Sequence, residues 1–352
     1  MSVSINDLFR RAIKEDASDL HIVPGYKPYL RKNSLLIELK EFPELSKDIS
    51  LQLLVGILNH KQRQELIDNH EIDFSYEAEG VRFRVNYYFT KGALAGAFRL
   101  IPVEIKSLDQ LSLPAELEKL TNYTQGLVLV TGRTGQGKST TLASLINHIN
   151  MRERKHIITI EDPIEYIYPK NLSIITQREV FSDTLSWKRA LRAVLREDPD
   201  IVLVGEMRDY ETISLVLTIA ETGHLVFSTL HTSTAPETIN RIIDVFPPSQ
   251  QNQIRTQLAE NLKAVVSQVL VPTVDLKSRV PALEIMYNPP AVANTIREGK
   301  IHYLQNIIET SEREGFILLE KYLAKLYAEG KITRDVALQH SVRDSVIRNY
   351  IK

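Results

Sequence analysis

The spacing of apolar residues over positions 1–100 predicts a small α+β domain. Apolar residues at helical intervals in "INDLFRRAIKE" predict an amphipathic helix close to the start of the chain. Short strands joined by Pro and Gly turns are indicated in "DLHIVPGYKPYLRKNSLLIEL", and "SLQLLVGILNHKQRQELIDN" is typical of a helix. Period-two alternation in "IDFSYEAEGVRFRVNYYFTKGALAGAFRLIP" then predicts several further strands.

Beyond this first domain the pattern of apolar residues changes. The runs "GLVLV", "HIITI", "DIVLVGE" and "HLVFSTL" are continuous rather than alternating, which is typical of strands buried on both faces. Helical stretches separate them and predict a parallel α/β sheet with right-handed crossovers over residues 115–270. We expect residues 271–352 to be mainly helical. The polar segment 101–114, bracketed by Pro102 and Pro114, predicts a flexible linker between the two parts.

Composition and charge are those of an ordinary globular protein. The chain is 43% hydrophobic and 25% charged, and its net charge of −1 provides no overall basic field for nucleic acid or anionic lipid. It contains no cysteine, which excludes disulfides and cysteine-ligated metal sites. No stretch has the length and apolarity of a signal core or a membrane span. We therefore expect a soluble, cytoplasmic protein that meets a membrane only through a partner.

The segment "TGRTGQGKSTT" follows the run "GLVLV" and fits the phosphate-loop pattern G-x-x-x-x-G-K-[ST]. Glycines allow successive backbone N–H groups to point at one anion. Lys138 is expected to reach the outer phosphates, and Ser139 is expected to offer its hydroxyl to Mg²⁺. The sequence thus predicts binding of ATP with Mg²⁺. The residues expected to hold the nucleotide are Gly132, Thr134, Gly135, Gln136, Gly137, Lys138, Ser139 and Thr140.

Ionisable side chains follow three of the predicted buried strands. Glu206 ends "IVLVGE", and Glu161 and Asp162 end "HIITIED". A single acidic residue in such a place is usually a loop or capping residue. Two carboxylate groups beside a phosphate loop instead predict a site for the attacking water and the metal, because ligands bind beyond the carboxyl ends of parallel strands. His231 ends the next strand and is a candidate phosphate sensor, whereas for His224, at the opposite end, a structural role is equally consistent.

Three arginines of the first domain are further candidates. "VRFRVN" puts Arg82 and Arg84 on one face of a predicted strand, and Arg99 follows in "AFRLIP". Such arginines ordinarily form a solvated sheet face. The functional alternative is an arginine that reaches the phosphates of a neighbouring subunit, since a guanidinium is well suited to a desolvated anion.

In this order and spacing, the motifs resemble those of the type II and type IV secretion-type traffic ATPases and, within that family, the pilus retraction ATPases. The resemblance covers nearly the whole chain. The stretches that carry it are "ASDLHI", "GRTGQGKSTT", "ITIEDPIEY", "IVLVGEMRD", "ETGHLVFSTLHT", "VFPPSQQNQIRTQLAENLKAVVSQVLVP" and "AVANTIREGKIH".

The resemblance implies a RecA-like ATPase domain preceded by a PAS-like domain, joined by a flexible linker in a homo-hexameric ring. It implies that Glu206 is the catalytic glutamate and that arginines such as Arg82, Arg84 and Arg99 complete a nucleotide site between the two domains. Closure around ATP would then act on an inner-membrane platform protein from the cytoplasmic side and power pilus retraction. No nucleic-acid partner is expected.

The chain departs from the family pattern at several positions. Arg133 and Gln136 stand where the phosphate loop usually has Pro and Ser, and Ala293 and Thr295 stand where the C-terminal motif usually has Arg and Leu. The tetracysteine zinc element typical of assembly and type II secretion ATPases cannot form without cysteine. Three alternatives remain open. They are an assembly, secretion or DNA-uptake ATPase, a nucleotide-dependent binding module without turnover, and a nucleic-acid-stimulated RecA-like translocase.

Overall fold

The computed structural model of the chain describes residues 3–32, 35–101 and 104–351. The chain divides into two compact units, which are Met1–Glu104 with Glu165–Ile167, and Ile105–Ile164 with Tyr168–Lys352. Among the described residues, no helix combines the length and the apolarity needed to cross a membrane.

The first unit is a sheet covered by helices. Its elements are α1 (Ile5–Lys14), β1 (Asp19–Ile22), β2 (Tyr29–Lys32), β3 (Leu35–Glu38), α2 (Lys47–Val55), α3 (His60–Asn69), β4 (Glu71–Ala78), β5 (Val81–Thr90) and β6 (Ala93–Leu100). Within the described residues the sheet has six strands in the order β3-β2-β1-β6-β5-β4, and all neighbours are antiparallel. This arrangement confirms a mixed α and β composition.

The core of the first unit forms where the apolar stripe of α1 meets the sheet. Phe9 of α1 is fully buried, and its ring centroid lies 4.6 Å from that of Phe83 and 5.2 Å from that of Phe98. The single helix predicted from "SLQLLVGILNHKQRQELIDN" is wrong in detail, since α2 and α3 are separate helices. Helix α2 ends at its C-cap, Gly56. Asn59 is the N-cap of α3 and forms a capping box with Gln62.

The second unit alternates strands and helices. Its elements are β7 (Gly126–Thr131), α4 (Lys138–Arg152), β8 (His156–Glu161), β9 (Ile174–Glu179), α5 (Trp187–Val194), β10 (Ile201–Val204), α6 (Tyr210–Glu221), β11 (Leu225–Leu230), α7 (Ala235–Asp244), α8 (Pro248–Asn261), β12 (Leu262–Pro272), β13 (Arg279–Tyr287), α9 (Pro290–Arg297), α10 (Leu304–Thr310), α11 (Leu319–Ala328), α12 (Arg334–His340) and α13 (Asp344–Tyr350).

The strands of the second unit form one sheet, which has seven strands in the described part of the chain. Their order is β13-β12-β7-β11-β10-β8-β9, and every neighbouring pair is parallel except β12 and β13. The four apolar runs correspond to β7, β8, β10 and β11, so the predicted parallel sheet is confirmed. The boundary expected at residue 270 falls inside β12, and residues 271–352 include the strand β13 as well as helices.

The segment expected to be a flexible linker is packed over part of its length. Leu108 and Leu113 are 4% and 6% exposed and belong to the hydrophobic core of the second unit. Their apolar side chains anchor residues 105–114 to that unit. Pro102 and Val103, which also fall in the expected linker, lie outside the described residues.

This anchoring predicts a stability effect at a position that a flexible linker would leave neutral. Leu113→Ala should lower the free energy of unfolding of the second unit by about 2–3 kcal/mol, because it removes buried methyl groups and leaves a cavity. Chemical denaturation of the full chain measures the change. The control is Leu276→Ala, whose side chain is 77% exposed. If both variants unfold like the parent, residues 105–114 are not packed as described.

Candidate nucleotide site

The phosphate-loop segment leaves the carboxyl end of β7 and runs directly into α4. Gly132, Gly135 and Gly137 have φ values of 146°, 78° and 79°, in the left-handed region that favours glycine. At Gly132 there is also no room for a side chain, because a Cβ would collide with the carbonyl oxygen of Gln268. Gly137 is the N-cap of α4, so the loop passes straight into the helix N-terminus. Backbone N–H groups in such a loop can converge on an anion.

Lys138 is held against the same loop. Its side chain is 8% exposed, and its Nζ donates hydrogen bonds to the carbonyl oxygens of Gly132 at 2.7 Å and Arg133 at 3.2 Å. A buried ammonium group therefore lies inside the turn where phosphate oxygens would meet it. Ser139, the next residue of α4, is half-buried. This cradle of glycines, ammonium and helix N-terminus fits a nucleotide phosphate chain with its Mg²⁺.

Parallel register brings the ends of four strands to one edge of the sheet. Val204 of β10 lies opposite Ile160 of β8 and Ser228 of β11, and Leu230 of β11 lies opposite Thr131 of β7. The chain therefore leaves these strands on the side of the phosphate loop. The candidate residues at this edge are Glu161, Asp162, Glu206 and His231.

Glu206 is the centre of a chain of polar contacts that reaches the phosphate loop. Its Oε1 lies 3.0 Å from Nε2 of His231, and Nδ1 of His231 lies 3.4 Å from Oγ1 of Thr134. Its Oε2 accepts a hydrogen bond from Nε of Arg208 at 2.7 Å. The side chain of Glu206 is only 19% exposed, so these contacts hold it in one orientation. The structure thus brings together Glu206, His231 and Thr134 as a connected group.

Arg208 is a residue of this group that the sequence motifs did not single out. The hydrogen bond that it donates to Glu206 raises the pKa of its guanidinium, and the charge of Asp162 adds to the shift. A permanent cation therefore lies beside Glu206 and close to Asp162. The available signal was its position two residues after Glu206 in "GEMRD".

Glu161 is held by its own neighbours. Its Oε1 accepts a hydrogen bond from Oγ1 of Thr159 at 2.6 Å and another from Nε2 of Gln177 at 3.4 Å. Within the described residues no group of three or more His, Asp or Glu side chains is arranged to hold a metal ion. In the phosphate-loop pattern, Mg²⁺ would be held by phosphate oxygens and by the hydroxyl of Ser139.

The arginines expected to act on a phosphate lie together on one face of the first unit's sheet. Arg84 of β5 lies opposite Arg99 of β6, and Arg82 shares the face of Arg84 because side chains alternate along a strand. Arg84 and Arg99 are both exposed, and Nε of Arg99 lies 3.0 Å from Oδ1 of Asp19. The predicted common face is present in the structure.

His224 has structural contacts at the other end of β11. Its Nδ1 lies 3.1 Å from the carbonyl oxygen of Ile219 and 3.2 Å from Oγ1 of Thr222, where α6 ends. These contacts join the end of α6 to the start of β11, far from the phosphate loop along the strand. A structural role therefore accounts for His224.

The C-terminal motif forms the short helix α9, within the region expected to be mainly helical. Ile296 is fully buried, whereas Arg297 and Glu298 are exposed. Nη1 of Arg297 donates to Oδ1 of Asn294 at 2.7 Å, and Oγ1 of Thr295 donates to the carbonyl oxygen of Ala291 at 2.8 Å. The helix thus presents charged groups outward on a buried apolar anchor.

Comparison with known proteins agrees with the motifs. The chain is 43% identical over 336 residues to the "Type IV pilus retractation ATPase PilT" of Pseudomonas aeruginosa, across 95% of this chain and 97% of that protein. It is 39% identical over 346 residues to the "Type IV pilus ATPase PilU" of the same organism, across 98% of this chain and 90% of that protein. A solved structure described as "Crystal Structure of the Pilus Retraction Motor PilT and Bound ADP" is similar with a TM-score of 0.93 and 43% identity, across 99% of both chains.

The family resemblance inferred from the motifs is confirmed over almost the whole sequence. The family model of the type II/IV secretion system proteins matches residues 1–349. With a match of this extent, the chain belongs to the type II/IV secretion system protein family.

Proposed function

We propose that the chain is a Mg²⁺-dependent ATPase that powers the retraction of a type IV pilus as one subunit of a homo-hexameric ring. The observation that carries this proposal is the chain of contacts from Thr134 in the phosphate loop through His231 to Glu206. It links a phosphate-binding loop to a carboxylate suited to position water. The similarity to proteins described as pilus ATPases, one of them with ADP bound, supports the same function.

In the proposed mechanism the loop binds the phosphates and Glu206 positions the attacking water. The N–H groups of the loop and the ammonium of Lys138 neutralise the negative charge of the β- and γ-phosphates. Mg²⁺ bound near Ser139 would supply further charge stabilisation. Each carboxylate oxygen of Glu206 keeps a second lone pair beside its present hydrogen bond, which can accept a hydrogen bond from water and align it with the γ-phosphorus.

His231 and Arg208 support this geometry in different ways. His231 contacts both Glu206 and Thr134. If the loop moves when it binds a γ-phosphate, this connection would shift the position of the Glu206 carboxylate. Arg208 donates a hydrogen bond to the other oxygen of Glu206 and so fixes the orientation of the carboxylate. We infer that Glu161 and Asp162, at the end of the neighbouring strand, contribute negative charge that helps to hold the metal.

The finer architecture is part of the proposal. We infer that the second unit is the RecA-like ATPase domain and that the first unit is PAS-like. Nucleotide would lie between such domains, completed by Arg82, Arg84 or Arg99. A hinge for domain closure would lie on the first-domain side of Leu108, because Leu108 is fixed in the core of the second unit. The motor would act from the cytoplasm on an inner-membrane platform protein.

Retraction is favoured over assembly or secretion because the match to the protein described as a pilus retraction ATPase covers 97% of that protein. The "Type II secretion system protein E" of Aeromonas hydrophila is 34% identical, but the match covers only 55% of that protein. A nucleic-acid translocase is disfavoured by the net charge of −1, since binding to a phosphate backbone relies on Lys and Arg.

The role of Glu206 predicts a separation of binding from hydrolysis. Glu206→Gln should bind ATP as the parent does but hydrolyse it about 100-fold or more slowly, because the neutral amide has only one acceptor oxygen with which to position the attacking water. Phosphate release by the full chain measures the rate of hydrolysis. The same assay with DNA added tests the translocase alternative, and DNA should leave the rate of the parent unchanged. The control is Glu211→Gln, an exposed glutamate paired with Lys188.

Two results would contradict this assignment. A Glu206→Gln chain that hydrolyses ATP at the parental rate would remove Glu206 from the reaction. Strong, salt-sensitive stimulation of the parent by DNA would favour the translocase.

A composite site predicts that two inactive variants can rescue each other. Arg84→Ala and Glu206→Gln should each be inactive alone. In a 1:1 mixed ring about a quarter of the sites would combine an intact Glu206 with an intact Arg84 from the neighbour, as expected for a head-to-tail ring. Activity of the mixture should rise accordingly. Mixing Arg10→Ala, an exposed arginine of the same unit, with the parent is the control. If Arg84→Ala is fully active alone, Arg84 does not belong to the site.

The exposed charges of α9 predict a loss of retraction without a loss of hydrolysis. Deletion of the gene in its host should leave excess pili that do not retract. A copy with Arg297→Ala should fail to restore retraction while its ATPase rate stays within about twofold of the parent, as expected for a surface substitution. Lys277→Ala is the matched exposed control and should restore retraction. Loss of all pili or of a secreted substrate on deletion would instead indicate an assembly or secretion ATPase.

A further inference from the structure

The phosphate loop is fastened to β12 by side-chain hydrogen bonds that the proposed chemistry does not use. Gln268 of β12 is 5% exposed. Its Nε2 donates to the carbonyl oxygen of Gln136 at 2.7 Å, and its Oε1 accepts from Oγ1 of Thr141 at 2.7 Å. One buried amide thus bridges the loop and the first turn of α4.

Gln136 makes the reciprocal contact from the loop to the strand. Its side-chain Oε1 accepts the backbone N–H of Leu270 at 2.5 Å. The parallel pairing of β12 with β7 ends at Ser267 and Thr131, so β12 continues beyond the last residue of β7. The side chain of Gln136 therefore accepts the N–H of Leu270 at a point where β7 has ended and offers no backbone carbonyl oxygen. A serine at this position, which the family resemblance leads one to expect, is too short to do so.

The backbone and side chain of Gln268 also fit closely against two loop glycines. A Cβ on Gly132 would collide with the carbonyl oxygen of Gln268, and a Cβ on Gly137 would lie 2.9 Å from its Nε2. The loop is thus pressed against β12 at both of its ends. We call the side chains of Gln136, Gln268 and Thr141, with these contacts, the glutamine clasp.

We propose that Gln268 and Gln136 are positioning residues that hold the phosphate loop in its binding conformation before nucleotide arrives. The proposal rests on the proposed function, since it concerns the same nucleotide site. Ordering a flexible loop costs conformational entropy on binding, and a loop that is already ordered binds more tightly for that reason. Because the side chain of Gln268 bonds to the loop and to α4, its loss should weaken nucleotide affinity and leave the chemical step unchanged.

Isosteric substitutions in the full chain test the clasp. Gln136→Met removes one hydrogen bond and should raise the Kd of a fluorescent ADP analogue about fivefold. Gln268→Met removes two hydrogen bonds and should raise the Kd by roughly tenfold or more, because both losses contribute. For Gln268→Met, which lies outside the residues expected to hold the nucleotide, the kcat at saturating ATP should stay within about twofold, so that the change appears in Kd and KM. Gln257→Met is the control, because Gln257 is a half-buried glutamine whose side chain bonds Glu221 instead.

The outcomes separate this proposal from the proposed function. If the parent binds the ADP analogue and both clasp variants bind it equally well, the clasp has no positioning role while the ATPase assignment stands. A lower thermal midpoint with unchanged Kd would likewise exclude a positioning role. If the parent does not bind nucleotide, both proposals are overturned. Should Gln268→Met fail to fold, Gln136→Met and Gln136→Ser decide, since that side chain is only half-buried.

Discussion

A loop that binds phosphate through its backbone has to hold several N–H groups in convergence, and this constraint organises the second unit. Glycine at positions 132, 135 and 137 allows the left-handed φ values of the turn. The same glycines would make an isolated loop flexible. Order has to come from neighbours. It is supplied by α4, which begins at Lys138, and by β12, whose Gln268 contacts the loop.

The parallel sheet connects this loop to the residues proposed for chemistry. Because neighbouring parallel strands end at one edge, a carboxylate after β10 and a histidine after β11 arrive beside a loop that follows β7. Only short contacts are then needed to join Thr134, His231 and Glu206. On the other side of the loop, β12 continues to Val271, which is buried among the C-terminal helices. The same strand thus supports the proposed nucleotide site and the helical region.

Local patterns in the sequence predict the parts of this structure that depend on local chemistry. The four apolar runs and the loop glycines specify strand, turn and helix within a few residues, so β7, α4, β8, β10 and β11 were predicted. Gly56 and Asn59 are local signals for the break between α2 and α3, although the apolar spacing on both sides resembles that of one continuous helix. Arg208 is equally visible beside Glu206.

Contacts between distant segments could not be predicted in this way. Gln136 and Gln268 are hydrogen-bonded across 132 positions of sequence, and nothing in the local pattern of either indicates its partner. The packing of Leu108 and Leu113 depends in the same way on a core built from later strands.

The most direct test of the proposed site is phosphate release from ATP by the purified full chain, with Mg²⁺ and with a chelator, for the parent and for Lys138→Ala. Release by the parent only with Mg²⁺, and none by Lys138→Ala, is the expected result, whereas equal release by both chains would contradict the site.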